Sequence, residues 1–271
     1  VDVQRIVFNP HYLTYIDTAM SAYWNAMAMP YVQTMQGLAC EMFLKKVTVE
    51  FQAPAHMDDV IEIGLRCDHI GTSSIRFDAA IFRNTECLLV AQLVYVYADA
   101  ATYKPTPVPL VMRSNFLALE AGEPMLQVQF GTWDVVGTDA ARLRKAVFIQ
   151  EQNIPESEEW DADDSVALHA IVLNRMNTVV ATGRLLPSQQ QRSRIGRMAV
   201  LRPLRGTGVG QWLLQQLIQQ AIQRHDKEVM VHAQCHVQAF YACHGFVVQG
   251  EPFDEVGIPH IVMVKTLSAS G

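Results

Sequence analysis

Three things are scarce or missing in this chain of 271 residues. No apolar run is long enough to cross a bilayer, and the first residues do not read as a signal peptide. There is no cluster of basic residues: 21 Lys and Arg stand against 27 Asp and Glu, for a formal net charge of −6. That argues against DNA or RNA as the main partner, because little would neutralise the phosphates. It leaves room for a small polyanion held by a local site. Cysteine is also sparse. The five thiols, Cys40, Cys67, Cys87, Cys235 and Cys243, are odd in number and lie among apolar neighbours. They read as reduced thiols of a cytoplasmic protein. No CxxC pair is present, so the run of His232, Cys235, His236, Cys243 and His244 reads as strand and helix positions, and no metal is expected.

What is present divides the chain in two. Half the residues are hydrophobic, enough for two cores. YKPTPVPL (103–110) alternates prolines and cannot be a central strand or a helix interior. A short apolar helical pattern follows and stops at GEP (122–124). The expected domains are therefore 1–122 and 123–271. In the front part Leu13, Ile16, Met20, Tyr23, Trp24 and Met27 recur at helical spacing, with Pro10 in the first turn. Four strand-like runs follow at about 43–53, 59–70, 73–84 and 87–99, separated by turn residues. One helix on an antiparallel meander is an α+β layout. The back part alternates: a strand at 126–136, a helix from Thr138 or Asp139 to 152, strands at 165–174, 177–186 and 193–200, a helix at 208–225, then a strand at 228–233, a short helix at 236–243 and a last strand at 259–266.

The chemistry of the back part centres on RPLRGTGVGQWLL (202–214). Gly206, Gly208 and Gly210 put no side chain between the backbone N–H groups and an anion, and the following helix adds its positive end. A Walker loop would end in Gly-Lys-Ser/Thr, but Gly210 is followed by Gln211 and Trp212. The dinucleotide fingerprint would need a glycine at 211. Arg205, Gly208 and Gly210 instead match the Q/R-x-x-G-x-G/A pattern of GNAT acetyltransferases, and VQAFYACHGF (237–246) resembles that family's second signature. GIPHIVMVK and VFIQEQNIP are similar to the ElaA-like subgroup. The resemblance spans 126–266 and implies an α/β domain, a mixed sheet flanked by helices, with acetyl-CoA as acyl donor. It implies that Arg205 and the N–H groups of Gly206, Thr207, Gly208, Val209, Gly210 and Gln211 hold the pyrophosphate. Met198, Ala199 and Val200 would offer a strand edge to the pantetheine, and Tyr241 would protonate the departing thiolate. Many members carry a glutamate on the strand before the loop to deprotonate the amine. Here that strand reads SRIGRMAV, with no acid. His232 and His260 are candidates for the base. The acidic run ESEEWDADD (156–164) is either a solvated loop or an attractor for a cationic amine.

In the front part Asp2 precedes an apolar stretch, and Asn9-Pro10 turns the chain into the helix. A carboxylate near a helix N-terminus could serve as base or nucleophile on a thioester. Asp2, Ile6, Val7, Phe8, Pro10, Tyr12 and Leu13 fall on the motif of hot-dog thioesterases related to 4-hydroxybenzoyl-CoA thioesterase, and VTVEFQAPAHMDDVIEI and GTSSIRF resemble their later strands. The resemblance implies Asp2 as the catalytic carboxylate, Asp17 as a common but non-catalytic acid, and a homo-oligomer that completes the site. Arg5 departs from it, standing where the family usually has glycine. Both halves then handle CoA esters, one by hydrolysis and one by transfer to an unidentified amine. The alternatives are an inactive dimerisation module carrying one acetyltransferase, and a CoA-binding sensor.

Overall fold

The computed structural model describes residues 5–267, so Asp2 lies outside the described residues. The chain forms two compact units, Val1–Met125 and Leu126–Gly271.

In the first unit, helix α1 (Asn9–Ala26) buries Tyr12, Ile16, Met20, Tyr23 and Trp24, the face its periodicity indicates. A short helix α2 (Tyr31–Gly37), which carries no strong sequence signal, leads into strand β1 (Cys40–Phe51). Strands β2 (Glu62–Ile70), β3 (Ser74–Arg83) and β4 (Glu86–Asp99) follow. The sheet is antiparallel in the order β1-β4-β3-β2. On β3, Ile75, Phe77, Ala79 and Ile81 are buried, the period-two face of a half-covered strand. Helix α3 (Leu110–Glu120) closes the unit. Its Phe116 packs among Tyr23, Trp24 and Phe77, with ring centroids 5.8–6.1 Å apart. Two buried phenols find partners: the Tyr12 hydroxyl accepts the Ala55 N–H at 2.8 Å, and Tyr23 donates to Glu120 at 2.6 Å.

In the second unit, β5 (Leu126–Gly131) is followed by α4 (Trp133–Arg144), which continues as a π-helical stretch over Lys145–Glu151. The strand therefore ends five residues before the sequence suggests, and the helix starts at Trp133 rather than at Thr138 or Asp139. After the single-turn α5 (Glu156–Glu159) come β6 (Leu168–Asn174), β7 (Val179–Leu185) and β8 (Arg192–Val200). Then follow α6 (Val209–Gln223), β9 (Glu228–Gln234), α7 (Gln238–Cys243), β10 (Val247–Val248), β11 (Phe253–Glu255) and β12 (Ile258–Thr266). The mixed sheet runs β10-β12-β9-β8-β7-β6-β5, with β11 on β12, and among the described residues only β8 and β9 are parallel neighbours. Among the described residues no helix is long and apolar enough to cross a membrane.

Candidate functional site

The parallel pair β8–β9 is short. Its register runs from Arg192↔Glu228 to Ile195↔Val231 and stops there, although both strands continue. The cause lies two residues on, at Arg197. The β7–β8 register shifts between Thr182 and Arg184, so β8 carries a bulge, and Arg197 within it has φ +50°. A bulge bends its strand and re-aims side chains. Beyond Ile195, β8 keeps β7 on one side and leaves a gap toward β9. Met198 faces the α6 side of the sheet, where Gly183 lies against its Cγ and against Leu217. Arg184 faces the other side, the α4 side, with Gly196 directly opposite it in the register.

The glycine loop sits at the end of β8. Gly206 has φ +78° and Gly208 φ +94°, left-handed values that favour glycine, and no atom lies within 4 Å of where a Cβ would project from either. Gly210 is less constrained: a Cβ there would make ordinary contact with Val200 at 3.4 Å and Phe240 at 3.9 Å. The backbone N–H groups of Gly206 through Gln211 donate to no backbone carbonyl among the described residues; the first such bond is Trp212 N–H to Gly208 O, at 2.9 Å. Six adjacent donors at the head of a 15-residue helix form an anion-binding surface. Arg205 does not project freely beside it. Its Nη atoms grip both oxygens of Glu151 at 2.5 and 2.8 Å, and its Nε donates to the Val200 carbonyl at 3.1 Å. That hydrogen-bonded pair holds the Glu151 carboxyl below its usual range. The π-helical stretch after α4 is what carries Glu151 to this position.

Of the three β8 residues singled out by sequence, Ala199 is buried among Leu143, Val147 and Phe148, so its side chain is structural. Met198 meets Tyr241: the phenol donates to the thioether sulfur at 3.8 Å. Tyr241 is buried, and that desolvation pushes its pKa up to about 12. It is a proton donor at neutral pH, not a phenolate.

The acidic run is partly solvated and partly paired: Glu156 and Glu158 are exposed, whereas Glu159 and Asp164 are buried against arginines. Arg144, 1% exposed, holds Glu159 at 2.5 Å and Asp164 at 2.8 Å, with its guanidinium 5.3 and 4.9 Å from the Trp133 and Trp160 ring centroids. Arg184 binds Asp161 and Asp164 at 2.6 Å, Arg194 binds Asp163 at 2.8 Å, and Arg197 binds Asp161 at 3.0 Å. Burial opposes ionisation of Asp161, yet Arg184 and Arg197 outweigh it and hold the carboxyl at about 2. At Glu159 burial wins over Arg144, and the pKa rises. Sequence reasoning missed this network because the pairs lie 15 to 36 residues apart, outside any local spacing rule.

The two candidate bases differ. His260 is buried and its Nδ1 lies 2.8 Å from the Ile258 carbonyl. His232 sits on β9 immediately past the last β8–β9 pair and is half-buried. His232 lies on β9 and His236 in a 3₁₀ turn, and no group of three potential metal ligands converges among the described residues.

In the first unit, Arg5 has φ +62°. An arginine thus occupies a left-handed conformation that glycine adopts without cost. Phe8 precedes α1 without a side-chain cap, and the first turn carries no acid, so the N–H groups of that helix end are not neutralised by its own side chains. Asp17 lies exposed on the middle of α1.

Comparison with known proteins finds relatives for both units. The acetyltransferase (GNAT) domain model matches residues 139–267, and the thioesterase superfamily model matches residues 4–88. Escherichia coli ElaA is 38% identical over 128 residues, covering 46% of this chain and 83% of that protein. Bacillus subtilis YjcF, named as an uncharacterised N-acetyltransferase, is 33% identical over 128 residues, 47% of this chain and 90% of that protein. A solved Lactobacillus plantarum protein, provisionally named an N-acetyltransferase, superposes with a TM-score of 0.51 at 29% identity, over 54% of this chain and all of that one. Through its second unit the chain belongs to the GNAT acetyltransferase family, with a thioesterase-superfamily domain ahead of it.

Proposed function

We propose that the second unit transfers an acetyl group from acetyl-CoA to an amine, and that the first hydrolyses an acyl-CoA thioester through Asp2. The observation that carries the transferase reading is the loop. Six N–H groups without backbone acceptors, beside two glycines with open space in front of them, suit a pyrophosphate. The free β8 edge at Met198, Ala199 and Val200 would take the pantetheine amides, once the Val200 carbonyl exchanges its Arg205 bond for one to the ligand. Arg205, anchored on Glu151, borders the loop as a neutralised ion pair and would act on the ligand only by exchanging that partner. Tyr241 already donates to a sulfur, that of Met198. The CoA sulfur would replace it as the thioester breaks, and a phenol held near 12 can supply the proton.

For the first unit, the uncapped N-terminus of α1 would polarise the thioester carbonyl, and Asp2, seven residues before that helix, would act as base or nucleophile. The domains carrying these activities would span 1–122 and 123–271. Completing the hydrolase site calls for a second copy, and the protein would then act as a homodimer on CoA esters in the cytoplasm, without a metal.

The test is a panel of acyl-CoAs assayed for free thiol, with and without primary amines. Amine-independent release that Asp2→Asn abolishes is expected for the first unit. Amine-dependent release that survives Asp2→Asn but is lost in Gly208→Val is expected for the second. Unchanged acetyl-CoA affinity in a folded Gly208→Val variant would remove the loop from the binding site. No thiol release under any condition would reduce the chain to a CoA-binding protein.

A further inference from the structure

The family's usual glutamate is missing from β8, yet amine attack needs somewhere for the proton to go. Beyond Ile195 the strands β8 and β9 are no longer paired, and side chains of both faces flank that gap. Tyr241 and Met198 lie on the α6 side. On the α4 side, the register row that crosses the start of the gap holds Arg184, Gly196 and, on β9, His232. Gly196 leaves that row open: a Cβ there would meet only the Nε of Arg184, at 4.0 Å. His232 follows Val231 in a strand whose alternate residues Val229, Val231 and Ala233 are buried, so its ring projects to the other face, where its neighbour Gln234 reaches Gln152 at 3.2 Å. The ring is 28% exposed, which allows a substrate to reach it.

Behind the ring stands a carboxylate. The β11–β12 hairpin pairs Glu255 with Ile258 across a two-residue turn, Val256-Gly257, both with positive φ (+54° and +74°). A β-branched residue is strained in that conformation, so the tight turn is held by its surroundings. It places Glu255 Oε2 3.6 Å from His232 Nδ1, and that buried oxygen makes no hydrogen bond among the described residues. Phe253, on the same hairpin, packs edge-on against the imidazole with centroids 5.2 Å apart. A carboxylate facing Nδ1 favours the tautomer with the proton on Nδ1, leaving Nε2 as the basic nitrogen.

We propose that His232 is the general base of acetyl transfer, with Glu255 as the positioning residue that sets its tautomer. The proposal rests on the transferase reading of the second unit. The amine nitrogen attacks the thioester carbonyl carbon, the N–C bond forms and the C–S bond breaks. The proton leaving nitrogen goes to His232 Nε2, directly or through one water, and the CoA sulfur takes its proton from Tyr241 on the opposite face. The protonation state agrees. Burial, then the Arg194 charge on β8, push the imidazole below its ordinary range; Glu255 on β11 pulls the other way, and His260 on β12 adds to the push. His232 is therefore neutral and able to accept a proton at pH 7.

The experiment measures acetyl transfer from acetyl-CoA to an accepting primary amine across pH, in the full chain, beside acetyl-CoA affinity by calorimetry. His232→Gln should lower kcat about 10²–10⁴-fold with affinity unchanged. Imidazole should partly restore His232→Ala. Glu255→Gln, on the hairpin and remote from the core, should keep the fold and move the acid limb of the pH profile to lower pH, since the carboxylate no longer holds the proton on the ring. A wild-type rate and profile in His232→Gln would overturn the base while leaving the transferase reading intact. An unmoved acid limb in Glu255→Gln would remove the coupling between the two residues. A wild type that binds acetyl-CoA but acetylates no amine would overturn the reading and the base together.

Discussion

At the scale of single residues, Tyr241 offers the clearest separation of chemistry from binding. Its ring packs against Phe240 and Phe246 at 5.1 and 5.6 Å, so Tyr241→Phe keeps the packing and loses only the hydroxyl. If the phenol stabilises a thiolate only as the C–S bond breaks, kcat should fall roughly 10²–10⁴-fold while KM for acetyl-CoA stays near its wild-type value. A steady-state comparison at saturating amine decides it; an unchanged kcat dismisses Tyr241 as the acid. Tyr241 and the loop glycines were readable from sequence because each is fixed by a short local pattern: φ values beyond +70° at Gly206 and Gly208 tolerate little else. The partners of Arg144, Arg184, Arg194 and Arg197 were not readable. Those arginines sit in apolar or alternating contexts, and only the tertiary fold brings them to ESEEWDADD. The same holds for Glu255, which gains its meaning from a hairpin that the sequence signals only through Gly257.

At the scale of elements, most helices and strands follow their periodicity, and the exception at residues 126–138 has a packing cause. QVQFGTWDVVG alternates apolar residues like a strand, and Gly137 reads as a break before a helix. In the fold Gly137 lies inside α4, where a Cβ would stand 2.6 Å from Trp133 Cδ2 of the preceding turn. The glycine is there so that the indole can lie across the helix and stack with Arg144. Helix propensity alone would make Gly137→Ala stabilising by about 1 kcal/mol. The overlap with Trp133 should reverse that sign, because overpacking typically costs ~1–3 kcal/mol and the indole is itself wedged against His169 at 4.9 Å. Denaturant melts of the two proteins test it, and a more stable Gly137→Ala would show that Trp133 moves freely. The gap between β8 and β9 is the other element-scale feature hidden from sequence. SRIGRMAV shows a strand, but the bulge at Arg197 depends on how β7 pairs with it.

At the scale of the whole molecule, the first unit exposes two sheet edges, β1 and β2, because the order β1-β4-β3-β2 leaves both without a neighbour. Unpaired edges invite pairing with another chain. Charge guards the β2 edge in part, with Arg66 and Asp68 engaged by Asp78 and Arg76 of the adjoining strand. The β1 edge mixes charge with apolar surface: Lys45, Lys46 and Glu50 are exposed, and so are Phe43, Leu44 and Phe51, at 44%, 48% and 49%. Phe8 and Leu13, at the start of α1, add further exposed apolar area. Scattered apolar residues are ordinary on a surface, but two unpaired strand edges together with this exposed apolar area suit a self-complementary interface. The chain should therefore sediment as a homodimer at micromolar concentration, with a mass twice 30.4 kDa. An interface built on apolar contact and strand pairing should change little between low and high salt, whereas one built on surface ion pairs would weaken. Replacing Leu44 by Glu on the edge should shift the protein toward monomer without lowering amine-dependent thiol release by the second unit. A wild-type monomer across this range would overturn the assembly, and with it the account of a hydrolase site completed by a second copy.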